Sequence, residues 1–195
     1  MFTCATRPLR RPAVAALAAL VACLLAAGPA EATEAGRCPG ALDVPSSPQE
    51  LSAAADAVTC LVNAERTSRG LKPLQRDGDL AQAARRHAAD MVRRAYFAHV
   101  TPSGSDLGDR VDYAGYGDPG DGWRIGENLG WGTGPRGTPA WLVDAWLASP
   151  HHRRILLEPA FRELGAGAAQ GAPKATDGSL PGATYTLELG VIRPG

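Results

Sequence analysis

Imidazole moves protons near neutral pH and offers a lone pair to transition ions, so His87, His99, His151 and His152 are the first residues to weigh for chemistry. Glu127, in the triplet Gly126-Glu127-Asn128, adds a carboxylate of the kind that joins imidazole around zinc and its neighbours. His99, Glu127 and His152 lie on three different segments, and spacing alone does not bring them together. His87 falls on the apolar stripe of a helix, where a histidine reads as a hydrogen-bonded core residue rather than a ligand. Covalent catalysis has little support, because the chain has neither a G-x-S-x-G elbow nor an HExxH helix. Ser103 follows His99 closely, but nothing in the sequence singles it out as a nucleophile.

Cysteine use places the chain in an oxidising compartment. Arg7, Arg10 and Arg11 precede an apolar run from Ala13 to Gly28, and Ala30-Glu31-Ala32 supplies an A-x-A cleavage pattern. Residues 1–32 therefore read as a secretory signal, with a mature start near Thr33. Leu20-Val21-Ala22-Cys23 also fits cleavage before a lipid-modified cysteine, which would anchor the protein at the outer face of the membrane through Cys23. The apolar residues that continue past Cys23 argue for plain secretion. Beyond the signal only Cys38 and Cys60 remain, an even pair expected to form a disulfide.

Composition excludes several function classes. After residue 32 the chain keeps 17 basic and 19 acidic residues, so no phosphate-neutralising face is expected and nucleic acid is an improbable partner. No later segment approaches the length of a membrane span. A monomer is expected.

The elements that would carry these residues can be read from periodicity and punctuation. Residues 33–49, with Pro39, Pro45 and Pro48, read as an irregular leader to a domain over 50–195. Leu51, Ala55, Val58, Val62 and Glu65 form a helical stripe after Pro48 and before Gly70. A second helix runs from about Asp79, its expected N-cap, to Arg94, burying Leu80, Ala84, His87 and Met91. A short helix follows over Asp106 to Tyr113. Trp123 to Trp131 suits a strand entering a loop. Thr138-Pro139 and Ser149-Pro150 each open a helix or helical turn, and late strands are expected over Leu164 to Ala169 and Tyr185 to Ile192. Trp123, Trp131, Trp141 and Trp146 read as packing anchors, with a groove for sugar or lipid as the alternative. The elements predict an α/β fold, a small, mainly antiparallel sheet flanked by helices.

The order of motifs carries a resemblance. NAERTSRGLKPL from Asn63 to Leu74, YFAH ending at His99, GEN around Glu127, WLASPHHRRIL from Trp146, ELGAG from Glu163 and YTLELG near the end together resemble the bacterial secreted branch of the CAP superfamily, the cysteine-rich secretory, antigen 5 and pathogenesis-related proteins. The resemblance implies an α-β-α sandwich with a cleft lined by histidines and acids. Carried over by motif, the cleft residues are His99, Glu127 and His152. His151 stands where relatives usually have glycine, and Ser149 takes the place of a second acid.

These three residues suit a divalent metal such as zinc with an open position, or a hydrogen-bonded cluster without an ion. The expected function is a secreted, non-enzymatic module that binds an extracellular or cell-envelope ligand, and no catalytic residue is assigned. The alternatives are a metal-dependent hydrolase of peptide or cell-wall material and a sterol or lipid carrier. Glu127, between Gly126 and Asn128 in a strand-to-loop element, is expected to be at least partly buried and hydrogen-bonded.

Overall fold

In the computed structural model, residues 34–176 and 178–193 are described, so the signal, Cys23 and the mature start lie outside the described residues. Chain order runs α1 (Glu34–Arg37), α2 (Pro48–Ser68), β1 (Gln75–Arg76), α3 (Gly78–Arg93), α4 (Leu107–Ala114), β2 (Gly122–Thr133), a 3-10 turn (Gly134–Gly137), α5 (Pro139–Ala148), α6 (Pro150–Leu156), β3 (Glu163–Gln170) and β4 (Gly182–Arg193). The sheet order is β1-β3-β4-β2. β4 pairs antiparallel with both β2 and β3, and the short β1 pairs parallel with β3.

Several local expectations need correction. The leader contains the one-turn helix α1. Helix α2 takes Pro48 into its first turn behind the Ser47 cap, where a missing N–H costs nothing. Its buried stripe runs through Ala54, Val58, Leu61 and Val62 to Arg66, while Leu51, Ala55 and Glu65 stay half-exposed at its margin. Asp77, not Asp79, caps α3, its side chain accepting from the amides of Asp79 and Leu80 at 3.0 and 2.8 Å. Two acids two residues apart both suit a helix start. The preceding pairing of β1 with β3 decides which one leads.

The central strand β4 is buried on both faces over Ala183–Gly190. One face carries Ala183, Tyr185, Leu187 and Leu189, which meet Val58, Leu61 and Val62 of α2 and Leu142, Val143 and Trp146 of α5 in the main core. Each such aliphatic side chain contributes about 1.5–3 kcal/mol by leaving water. The other face carries Thr184, Thr186 and Glu188 beneath α3. Helices on both sides of the sheet make the α-β-α sandwich, and the resemblance foresaw that architecture.

Helix α3 lies directly on β3 because Gly165 and Gly167 have no side chains. A Cβ at either position would run into the helix backbone, at Ala81 and Arg85 respectively. The ELGAG motif is thus a packing device that sets the depth of α3, and with it His87. The expected disulfide is present, joining Cys38 after α1 to Cys60 in α2 with Cα atoms 5.7 Å apart. Arg66 is a buried cation tying α2 to the end of α6 through the carbonyls of Leu156 and Glu158 at 2.7 and 3.1 Å. Asn63 holds Leu74 by both its amide and its carbonyl.

Candidate functional site

Three segments meet over the first half of β2. The chain leaves α3 through Ala95, whose positive φ of 53° ends the helix, and passes through Tyr96 to His99. Helix α4 begins with a capping box in which Asp106 and Asp109 each accept the other's backbone amide. That box fixes the first turn, and Arg110 follows directly. Strand β2 brings up Glu127, and α6 brings up His151 and His152.

Glu127 is the hub. Its side chain is 2% exposed, and its Oε1 lies 2.7 Å from Nδ1 of His99, whose ring is 54% exposed. Arg110, 9% exposed, donates Nη2 to Glu127 Oε2 at 2.7 Å. The same guanidinium donates Nη1 to the His99 carbonyl at 2.9 Å and to the Ser105 carbonyl at 3.3 Å. One cation therefore fixes both the carboxylate and the loop that carries its imidazole partner. Such a charge-assisted fork is among the stronger hydrogen-bond arrangements. With Nδ1 turned to the carboxylate, Nε2 is the His99 nitrogen left for a ligand.

His87 backs this hub as a core residue. Its Nε2 is bonded to the Ala98 carbonyl at 3.1 Å and lies 3.9 Å from Glu127 Oε2. Burial holds its imidazole below the ordinary histidine range, against the pull of the Glu127 charge. Tyr96 donates to Asp90 at 2.8 Å, closing the loop onto α3.

His99, Glu127 and His151 line one open pocket of about 470 Å³ with Val100, Asp106, Leu107, Gly108, Trp123 and Ile125. His152 does not line it. Its Nδ1 is buried without a partner, and its backbone carbonyl accepts from Asn128 at 3.1 Å. Burial, then the charges of His151 and His99, lower its affinity for a proton. Ser149 occupies the junction between α5 and α6 and makes no capping bond there. Of the four tryptophans, Trp146 is a core anchor whose indole donates to the Leu129 carbonyl at 2.8 Å, whereas Trp123 walls the pocket.

Of the expected metal set His99, His152 and Glu127, the carboxylate is not free to act as a first ligand. Both Glu127 oxygens are engaged, one by a guanidinium whose charge opposes a second cation. Among the described residues no group of three His, Cys, Asp or Glu side chains is placed to hold an ion. Imidazole nitrogens remain the available donors, with Glu127 behind His99 in the outer shell.

Two residues of this site escaped the sequence reading. Arg110 belongs to a stripe with Leu107 and Val111, and a charge on an apolar stripe was the available signal. Glu188 lies directly opposite Glu127 in the β2–β4 register, fully buried, with neither oxygen hydrogen-bonded. Burial above all, then the Glu127 charge, raises its pKa well above the usual carboxyl range, so it is held protonated.

Comparison with known proteins agrees with this architecture. The model for the CAP, cysteine-rich secretory protein family matches residues 60–180. The chain is 37% identical over 122 residues to the Bacillus subtilis (strain 168) protein named Uncharacterized protein YkwD, covering 63% of this chain and 45% of that one. It is 33% identical over 109 residues to Uncharacterized membrane protein YlbC of the same organism, covering 55% and 29%. An extracellular protein containing a SCP domain from Bacillus anthracis str. Ames superposes with a TM-score of 0.57 at 26% identity, covering 74% of this chain and 44% of that one. The match spans less than half the length of each of these proteins. Among the described residues no helix is long and apolar enough to cross a membrane. The family match over most of the sandwich shows that this chain belongs to the CAP family, the cysteine-rich secretory proteins.

Proposed function

We propose that this domain is an extracellular binding module whose recognition group is the His99 imidazole. One observation carries the reading: a half-exposed ring, its Nδ1 locked onto a buried carboxylate by Arg110, stands in an open pocket. A fixed imidazole costs little ordering entropy when a ligand arrives. The residues lining the pocket include no serine, threonine or cysteine to act as nucleophile, which favours binding over covalent turnover. Secretion is supported by the signal-like residues 1–32 and by the extracellular relative. The test is to titrate purified domain with soluble cell-wall fragments while following the His99 ring resonances and analysing the fragments for cleavage. Binding without turnover, abolished in His99→Ala, is expected. Cleavage lost in the same variant would replace the reading with a hydrolase.

The second reading is a divalent transition ion held by imidazole nitrogens. The buried, unpartnered Nδ1 of His152 and its lowered pKa favour it, because a neutral imidazole keeps its lone pair. A bound ion would act as a Lewis acid on a ligand oxygen. His99 would be its first ligand, steadied by Glu127.

A further inference from the structure

The shape and charge of the His99 pocket narrow the class of ligand, an inference that rests on the binding reading above. Trp123, Ile125 and Glu127 alternate along β2 and so share one face of the sheet. Exposure falls along that row, from 38% at Trp123 through half-buried Ile125 to the buried Glu127. At the strand rise, four residues cover roughly 13 Å. The pocket therefore runs from an indole at its outer end to the His99–Glu127 pair at its inner end.

The indole is held in place. Its Cη2 lies where a side chain on Gly108 would begin, only 3.1 Å from an ideal Cβ, so Trp123 packs against the first turn of α4. Asp106, at the same helix start, and His151, from α6, add planar polar groups to the walls.

Charge removes one ligand class. Neither lysine nor arginine lines the pocket, and of its two carboxylates Glu127 is already ion-paired with Arg110, so Asp106 supplies the negative charge on the wall. Anions, including lipids with phosphate or carboxylate heads, meet like charge there. A flat aromatic face, planar hydrogen-bonding groups and a length of roughly 13 Å match a neutral saccharide. Its C–H face would lie on Trp123 and its hydroxyls would reach Asp106, His151 and His99.

We infer that the pocket binds a neutral oligosaccharide, spanning about two rings, stacked on Trp123 and hydrogen-bonded at His99.

The experiment is amide and indole NMR of labelled domain titrated with N,N′-diacetylchitobiose, with an alanine tetrapeptide, and with zinc chloride. The disaccharide is expected to shift the Trp123 indole N–H, the Gly108 amide and the His99 ring together. Trp123→Ala and Trp123→Leu should each weaken that binding about fivefold, the second keeping apolar bulk while removing the flat face. Three results overturn the saccharide assignment: no shifts with the disaccharide at about 20 mM, shifts away from the pocket, or Trp123→Leu binding like wild type. If the tetrapeptide or zinc still moves His99 in any of these cases, the binding reading survives the loss. If no probe moves His99, both readings fail.

Discussion

Arg110 and Glu127 form a nearly dry ion pair, Nη2 to Oε2 at 2.7 Å, joining helix α4 to strand β2 across 17 residues of sequence. The same guanidinium holds the His99 carbonyl, so the orientation of the exposed imidazole depends on a residue that does not line the pocket.

Arg110→Ala should therefore cost about 3 kcal/mol, because it leaves the Glu127 carboxylate buried with one partner fewer. Arg110→Lys should fall between, keeping the charge and losing the fork. Urea denaturation of both variants reads this directly. An unchanged midpoint for Arg110→Ala would show that the pair adds nothing to the fold.

Glu188 sets an alkaline limit on stability. Its folded pKa lies above the unfolded value, so the folded chain holds a proton that the unfolded chain releases once pH passes about 4.3. The stability it contributes is complete below that value and is lost as pH rises through the folded pKa. Glu188→Gln should match wild type near pH 4 and exceed it near pH 8. Parallel stability curves for the two proteins across that range would contradict a buried protonated acid.

His87 works in the opposite direction. Its folded pKa is lowered, chiefly by burial, so the unfolded chain takes up the proton first as pH falls below about 6.5. Stability should hold above that value and decline below it. His87→Gln should flatten the decline without abolishing it, since the His152 pKa is also lowered, first by burial and then by His151 and His99. Denaturation midpoints at a series of pH values would expose an unaltered slope.

Removing the Cys38–Cys60 bond by paired serine substitutions frees a loop between residues 22 apart. In the chain-entropy model this costs roughly 3 kcal/mol. Calorimetry of the double variant should show a lowered, still cooperative transition. A transition at the wild-type temperature would make the bond dispensable.

Zinc provides the check on the second functional reading. Calorimetric titration near pH 7.5 should show binding of modest affinity that fades near pH 5.5, because a protonated imidazole has no lone pair to give. Binding should be lost in a His99→Ala, His152→Ala double variant. If the double variant binds like wild type, or wild type does not bind at millimolar zinc, the metal reading is wrong and the cluster is held by hydrogen bonds without an ion.

Much of the sandwich was legible in the sequence because its signals are local. Pro48 announces α2 and Thr138-Pro139 announces α5, since each proline omits an amide within the first helical turn, where it would lack a partner. The Cys38–Cys60 pairing followed from cysteine count and export. The buried, hydrogen-bonded state of Glu127 was also expected from its motif.

Pairings between distant segments were decided only by the tertiary structure. In sequence, TYTLELG alternates like a strand with one wet face, yet β4 lies mid-sheet and α3 covers that face, so Glu188 is dry. Likewise the motif in SPHHR pointed to His152 as the cleft histidine, whereas the seating of α6 against β2, through the Asn128 bond to the His152 carbonyl, puts His151 on the pocket wall. Arg110 stands on the apolar stripe of a short helix, but the sequence names no partner for it until Glu127 arrives from β2. The physical reason is common to all three. Burial and ion pairing depend on which surfaces meet after the chain folds, and periodicity along one segment contains no information about the segment that covers it.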